Sequence, residues 1–414
     1  MLAAGWMGYA LFGHTFIRAM YQGKAPAFFN NIISSQNIHS LAFYMKKADL
    51  LLVDKSFDVL SYLVFLNVVG FLVHKKRLGI ALICLLVVFI ALETFFSIVF
   101  TYDFPTHLLP LPLLAVSKEV YARHDDAIQF SDACAQYDDE ITYTLKPGAC
   151  GFKTVEFDTR YKINSEGLRD DEESLGAPEL IVLGDSFAMG WGVEQDEAFP
   201  AIVEKESGIK TLNAAVASYG TAREMVLLKR LNLSGLKYLI VQYFLNDDFE
   251  NETYRDDDNV LAVMPRKRYR ALVDAQSHQR HHLFGYVTTL LVETYYNARA
   301  SIVELFMGKQ YDPWSRIGTP ADSVGYFLNV FKNAAPWNRL PTQDLRVLVM
   351  ADKPFCDQLL PQMKEGRYPV EPSQVACLDD GLDGSMSFPL DIHWTAQGHR
   401  QIAQKVLEWL RGLN

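Results

Sequence analysis

Hydrophobic positions are unevenly distributed along this chain. They crowd the first quarter as long continuous runs, and they return after about residue 176 as short runs alternating with segments of helical period. The longest run, "LGIALICLLVVFIALETFFSIVF" from Leu78 to Phe100, carries Glu93 as its lone charge. At about 1.5 Å per residue it is long enough for a bilayer core and predicts a membrane-spanning helix. A shorter run, Val59 to Val73, extends to a second span near 57–75 if Phe57 lengthens one end and Lys75 snorkels at the other. Between the two lies His74-Lys75-Lys76-Arg77, and the positive-inside rule assigns that turn to the cytoplasm and everything after Thr101 to the other side. Met1 to Ile17 is a further candidate span or signal anchor, and the mixed segment between it and the hairpin suits an interfacial helix.

The second half follows a different rhythm. "LIVL" at Leu180–Leu183, "IKTLNAAVA" from Ile209, "LKYLIVQYF" at Leu236–Phe244 and "LRVLVMA" at Leu345–Ala351 are near-continuous apolar strands. Ala198–Glu206 and "TAREMVLLKRL" from Thr221 are amphipathic helices between them. Such alternation predicts an α/β unit with a parallel sheet covered on both faces, whose chemistry gathers at the carboxyl ends of the strands. The domain organisation expected is a membrane region over 1–103, a proline-punctuated linker and irregular extracytoplasmic segment over 104–176, and an α/β domain over 177–414 with an insertion at about 248–341. That insertion is read as a lid or a partner surface, because so long a stretch is not an ordinary connection.

Charge narrows the partners. A formal net charge of -10 argues against nucleic acid, which needs a basic face, and the cluster Arg266-Lys267-Arg268-Tyr269-Arg270 reads as a solvated or headgroup-facing segment. The aspartates at 247–248 and 256–258 read as a solvated acidic loop, with no metal and no cofactor expected. Cys84 falls inside the predicted span; the other four cysteines form sequence-local pairs, Cys134 with Cys150 and Cys356 with Cys377. Local pairs in an oxidising compartment often bridge, although four cysteines allow three connectivities.

The chemistry centres on "GDSFAMGWGV", where the first strand stops at Gly184-Asp185-Ser186. A serine hydroxyl needs a base to accept its proton and a third group to fix that base. Of the histidines, those at 14, 39 and 74 belong to the membrane part, 107 and 124 to the linker, and 278, 281 and 282 to the insertion. That leaves "DIHWTAQGH", where Asp391 and His393 share one side of an extended loop before a helix striped by Ile402, Val406 and Leu410; His399 is the alternative base. Gly220 in "ASYGTARE" and Asn246 in "FLNDD" also fall at strand ends, the first permitting close backbone approach and the second supplying a neutral amide donor.

Taken in order, these blocks resemble those of the SGNH, or GDSL-type, hydrolases over about residues 180–413. The resemblance implies a flavodoxin-like parallel sheet sandwiched by helices, Ser186 as nucleophile, His393 as base and Asp391 as its orienting acid. It also implies an oxyanion hole from the Ser186 N–H, the Gly220 N–H and the Asn246 side chain. Two departures stand out: Phe244 occupies a place where the family usually has glycine, and one residue instead of two separates Asp391 from His393. The compact Asp-x-His-Trp form is similar to that of alginate O-acetylation proteins, although there it precedes the serine. An α/β-hydrolase elbow is excluded by Ala188, and a dinucleotide fingerprint by Gln195. The reading expected is a membrane-anchored serine esterase or O-acyltransferase with an extracytoplasmic catalytic domain. Acylated cell-surface polysaccharide would be its substrate, and envelope polysaccharide-modification proteins its candidate partners. The alternatives are a catalytically silent glycan-binding or envelope scaffold module and a lipid-directed acyl hydrolase.

Overall fold

A computed structural model describes residues 76–101, 106–122, 127–278, 285–295 and 319–413. The expected spans near 57–75 and 1–17 lie outside the described residues. The chain divides into two units, Met1–Leu85 and Leu86–Asn414. Apart from the first turns of one helix, the described residues all belong to the second.

That helix, α1 (Lys76–Thr101), contains Ile83–Phe100, a stretch of mean hydropathy 2.7 that is, among the described residues, long and apolar enough to cross a membrane. Its outward positions Ile83, Leu86, Val87, Val88 and Ile90 are exposed, whereas Phe96 and Val99 near its end are buried. Glu93, the lone charge of the run, accepts a hydrogen bond from the backbone N–H of Val287 at 3.0 Å. Val287 lies in the first turn of α8 (residues 285–295), the helix after α7 (Arg266–His278), and free N–H groups and the helix dipole there favour a carboxylate. The end of α1 also meets α2 (Leu111–Tyr121), with Phe100 and Tyr121 rings 5.7 Å apart.

The segment read as an irregular linker is folded from residue 127 onward. It forms two antiparallel ribbons, β1 (Ala135–Asp138) with β2 (Thr142–Leu145) and β3 (Gly148–Lys153) with β4 (Asp158–Ile163). Strand β4 alternates exposed and buried positions along its length, so Thr159, Tyr161 and Ile163 face inward. A disulfide joins Cys134 to Cys150 across the two ribbons. Their apolar residues are continuous with the main core, which includes Tyr143, Phe152, Tyr161 and Leu168. This was not legible because short alternating strands leave a faint pattern beside the continuous apolar runs of a parallel sheet.

The α/β unit has a five-stranded, fully parallel sheet ordered β6-β5-β7-β8-β9. Its strands are β5 (Leu180–Leu183), β6 (Thr211–Asn213), β7 (Tyr238–Gln242), β8 (Arg346–Ala351) and β9 (Val375–Asp379). In chain order this is the 2-1-3-4-5 winding of flavodoxin-like sheets. The first four strands match the expected apolar runs, β6 being shorter than its run. The fifth, "VACLD", was missed, and Cys377 on it bonds to Cys356 of α10 (Lys353–Glu365).

The helices take their places from the crossovers. The chain moves one way from β5 to β6 through α4 (Phe199–Ser207), and the other way through α5 (Thr221–Leu228), α9 (Pro320–Ala334) and α10. Right-handed crossovers therefore put α4 on one face and the others on the opposite face. The last helix, α11 (Ala396–Gly412), packs beside α4 and buries Ile402, Val406 and Leu410. Helix α9 opens with a capping box of Thr319 and Asp322 and buries Val324, Phe327, Leu328 and Phe331, so part of the 248–341 region is the crossover that joins β7 to β8.

The solvated acidic loop expected at 247–248 does not form. Asp247 and Asp248 are not solvated; they begin α6 (Asp247–Asp256) fully buried. Asp247 accepts from the Thr221 hydroxyl at 2.8 Å and Asp248 from the Ser323 hydroxyl at 2.6 Å. Burial inside an α-helical layer is tolerated because neighbouring hydroxyls take the place of water. Those hydroxyls lie on α5 and α9, far away in sequence.

Candidate active site

Because β5 turns one way to β6 and β7 turns the other way to β8, a crevice opens beyond the carboxyl ends of β5 and β7. Ser186 follows β5 and Asn246 follows β7, so the topology alone brings both to the same edge. Gly184 makes the turn: its φ is 154°, and a Cβ there would lie 2.7 Å from the Ala188 Cβ and 2.8 Å from the Gln242 Oε1. Asp185 then caps the short helix α3 (Ser186–Met189), accepting from the Phe187 N–H at 2.9 Å. The serine is thereby presented half-exposed on the first helical residue, where its N–H has no intrahelical acceptor.

On the far side of the sequence, the loop before α11 supplies the other groups. The Ser186 Oγ lies 2.6 Å from the His393 Nε2. The second ring nitrogen of His393, Nδ1, is in contact with the Asp391 Oδ1, which also accepts the His393 backbone N–H at 3.0 Å. The other carboxylate oxygen of Asp391 accepts the Trp191 indole N–H at 2.9 Å. Burial works to raise the Asp391 pKa, but the hydrogen bonds and charge of His393, with the Trp191 donor, outweigh it and hold the carboxyl below its ordinary value. His399, the alternative base, is elsewhere: it sits in the core, its Nδ1 accepting from the Phe199 N–H at 3.3 Å. Burial, with the nearby charges of Arg169 and His393, lowers it to about 3 and keeps it neutral.

Aromatic rings wall the imidazole. Phe187 stands 4.6 Å and Trp191 5.5 Å from the His393 ring, centroid to centroid. Phe244, where glycine was anticipated, packs at 4.8 Å on Phe187, so the departure thickens this wall. The loop carrying Trp191 is itself fixed by the fully buried Arg169, whose guanidinium donates to the carbonyls of Met189, Gly190 and Val193 while lying 4.4 Å over the Tyr161 ring.

Of the expected oxyanion donors, Asn246 is an exposed residue whose side-chain amide lies close enough to Asp185, the neighbour of Ser186, to lower its pKa. A primary amide carries two N–H donors. Burial raises Asp185 to about 6, against the pull of the Phe187 N–H, His393 and Asn246. Gly220 is buried as the N-cap of α5, and a Cβ there would come within 2.9 Å of Glu250. Two residues of this neighbourhood were not foreseen. Trp191 lay within the serine block, and its adjacency to Ser186 was a usable signal. Glu156, which accepts the backbone N–H groups of Leu390 and Asp391 at 2.7 and 2.8 Å, carries no motif at all.

No family model matches this chain, and no curated protein matches it. Among solved structures it is similar to a protein from Desulfitobacterium hafniense DCB-2 described as lipolytic and of the G-D-S-L family, at 10% identity and a TM-score of 0.28, over 55% of this chain and 97% of that one. It is similar to TesA at 12% identity and a TM-score of 0.29, over 57% of this chain and 99% of that one. A carbohydrate esterase matches at 14% identity and a TM-score of 0.29, over 57% of this chain and 65% of its own. Likeness of this size fixes neither family nor reaction.

Proposed function

We propose that this protein is a membrane-anchored SGNH-type serine esterase or O-acyltransferase working through an acyl-serine intermediate. The observation that carries the reading is the Ser186 hydroxyl 2.6 Å from the His393 Nε2, with Asp391 on the other ring nitrogen. In the first half-reaction the Ser186 Oγ attacks the acyl carbon as its proton passes to the His393 Nε2, and Asp391 stabilises the resulting imidazolium. The developing oxyanion is received by the N–H groups of Ser186 and Gly220 and the Asn246 amide. Collapse breaks the ester C–O bond, and the leaving alkoxide takes the proton from His393. In the second half-reaction water or a sugar hydroxyl gives its proton to His393 and attacks the acyl-serine, and Ser186 recovers a proton on release. Water makes the protein a hydrolase; a sugar hydroxyl makes it a transferase.

The anchored reading draws support from the apolar run Ile83–Phe100, and the extracytoplasmic orientation from the basic residues before it in the sequence and from the two disulfides. A cell-surface polysaccharide ester is the substrate that this location and the motif resemblance favour together. A second reading, a lipid-borne ester, is favoured by one specific feature: Leu390, next to the proposed catalytic acid, is buried in one apolar cluster with Val99 at the end of α1. The silent-module alternative is disfavoured by the complete serine–histidine–aspartate chain of contacts. Turnover of p-nitrophenyl acetate by the full chain in detergent is the test, with Ser186→Ala as control. We expect the alanine variant to lose turnover and labelling by a fluorophosphonate; activity surviving in it would overturn the assignment. Acetylated glycan and lysophospholipid, compared under the same conditions, separate the two substrate readings.

A further inference from the structure

The loop that carries Asp391 is closed on itself by the Phe388 N–H bonded to the His393 carbonyl at 3.0 Å, and it is also held from outside. Its backbone N–H groups at Leu390 and Asp391 are both taken by the Glu156 carboxylate, one on each oxygen, at 2.7 and 2.8 Å. Glu156 stands in the turn between β3 and β4, outside the α/β unit, and its own N–H is fixed by the Thr154 hydroxyl at 3.1 Å. The residues beside these contacts are apolar and share one cluster: Leu390 is buried with Val99 of α1 and Tyr121 of α2, and Val155 packs against them.

We propose that Glu156 is a positioning residue for catalysis: its paired hydrogen bonds aim Asp391 at His393, so that the β3–β4 hairpin, together with the end of α1, sets the geometry of the acid. The inference rests on the catalytic reading above. A carboxylate serves two N–H donors well because each oxygen accepts without offering a proton in return. A protonated carboxyl, or an amide, keeps one good acceptor and turns a donor toward the other N–H. Burial raises Glu156 to about 7, against the two N–H donors, and the charges facing it are Asp391 from the loop, which raises it further, and Lys118 from α2, which lowers it. The staple is therefore complete above about pH 7 and weakens as Glu156 takes up a proton below it.

The test is the ratio of wild-type to Glu156→Gln kcat across pH, on the full chain in detergent with p-nitrophenyl acetate. At pH 8 we expect kcat to fall about tenfold or more, the size of one lost hydrogen bond to a charged group, with KM within about twofold. The ratio should shrink toward one by pH 5.5, where the wild-type side chain is itself protonated. A residue that merely stabilises the fold gives a ratio independent of pH, and that result, or an unchanged kcat, overturns the inference. Should Glu156→Gln fail to fold, Lys118→Gln decides: Lys118 is exposed and touches no catalytic group. Its loss should move the acid limb of kcat to higher pH by roughly 0.3 unit, as expected for removing one partly screened charge, and an unmoved limb overturns the inference. Loss of turnover in Ser186→Ala with a pH-independent Glu156→Gln ratio refutes the positioning role alone, whereas turnover persisting in Ser186→Ala refutes both.

Discussion

Replacing Asp391 by asparagine tests the site most directly, because the side chain keeps its shape and every contact can be followed. The carboxylate receives three donors: the His393 ring and backbone N–H groups on Oδ1, and the Trp191 indole on Oδ2. An amide offers one acceptor oxygen and one NH₂. If its oxygen stays toward His393, the NH₂ confronts the Trp191 N–H across 2.9 Å, donor against donor. If the amide flips, its NH₂ donates to the His393 Nδ1, which forces the proton onto Nε2, the atom 2.6 Å from the Ser186 hydroxyl. The imidazole then cannot accept the serine proton. Either orientation also loses the negative charge that offsets the imidazolium. A wrong tautomer with a lost counter-charge costs on the order of 10³–10⁴ in kcat. Trp191→Phe supplies the graded comparison: it removes one charge-assisted bond worth about 1.5–3 kcal/mol and should lower kcat roughly ten- to a hundredfold. Ester turnover over pH 6–9, beside thermal melts of each variant, makes the measurement. An asparagine variant within about tenfold of wild type, with an intact melt, would refute the proton-relay argument.

Arg169→Met should cost about 1–3 kcal/mol in urea unfolding, because it strands the buried Val193 carbonyl and leaves Met189 only the Asn213 amide and Gly190 only the Val193 N–H, each at 3.4 Å; a loss below about 0.5 kcal/mol would mean the Val193 carbonyl finds another donor. Serine at both Cys356 and Cys377, which lie 21 positions apart, should lower stability by about 3 kcal/mol as the unfolded chain regains its freedom, with no change in KM. Burial, with the charges of Asp352 and Asp379, raises Asp380 to about 7. A raised carboxyl contributes stability that is fully present below its unfolded value and disappears as pH rises through about 7, so Asp380→Asn should raise Tm more at pH 8 than at pH 4.5, where only a small part of the loss has accrued. Equal shifts at both values would remove the titration argument.

How much of this was legible depended on where the physics is local. Strand β5, the turn at Gly184 and the place of Ser186 on the first residue of α3 are encoded within a few consecutive residues, as are Asp391 and His393, and these positions could be read directly. The fate of Asp247 and Asp248 could not. Two aspartates opening a helix look the same whether water or hydroxyls surround them, and the hydroxyls that bury them, Thr221 and Ser323, come from helices whose packing only the folded sheet decides. Strand β9 was hidden for a related reason: its burial is only partial along most of its length, so edge position replaced the apolar run by which its neighbours announced themselves.

Glu156 is the extreme case. Nothing in "TVEFD" distinguishes it from a solvated turn residue, and its significance arises from backbone N–H groups more than two hundred positions away, at Leu390 and Asp391. A support of this kind leaves no side-chain pattern at its target, because a carboxylate that holds backbone places no demand on which residues it holds. What the chain does fix is the cost of losing it. Leu390 and Val155 lie in the same apolar cluster as Val99, so disturbing the end of α1 should reach Asp391 through packing, just as Glu156 reaches it through hydrogen bonds. Val99→Ala removes buried methyls at a distance from every reacting atom, and it should lower kcat while leaving KM and the pH at which Glu156 acts in place. A variant that instead changes KM alone would locate the influence of α1 in substrate binding and separate it from the aim of the acid.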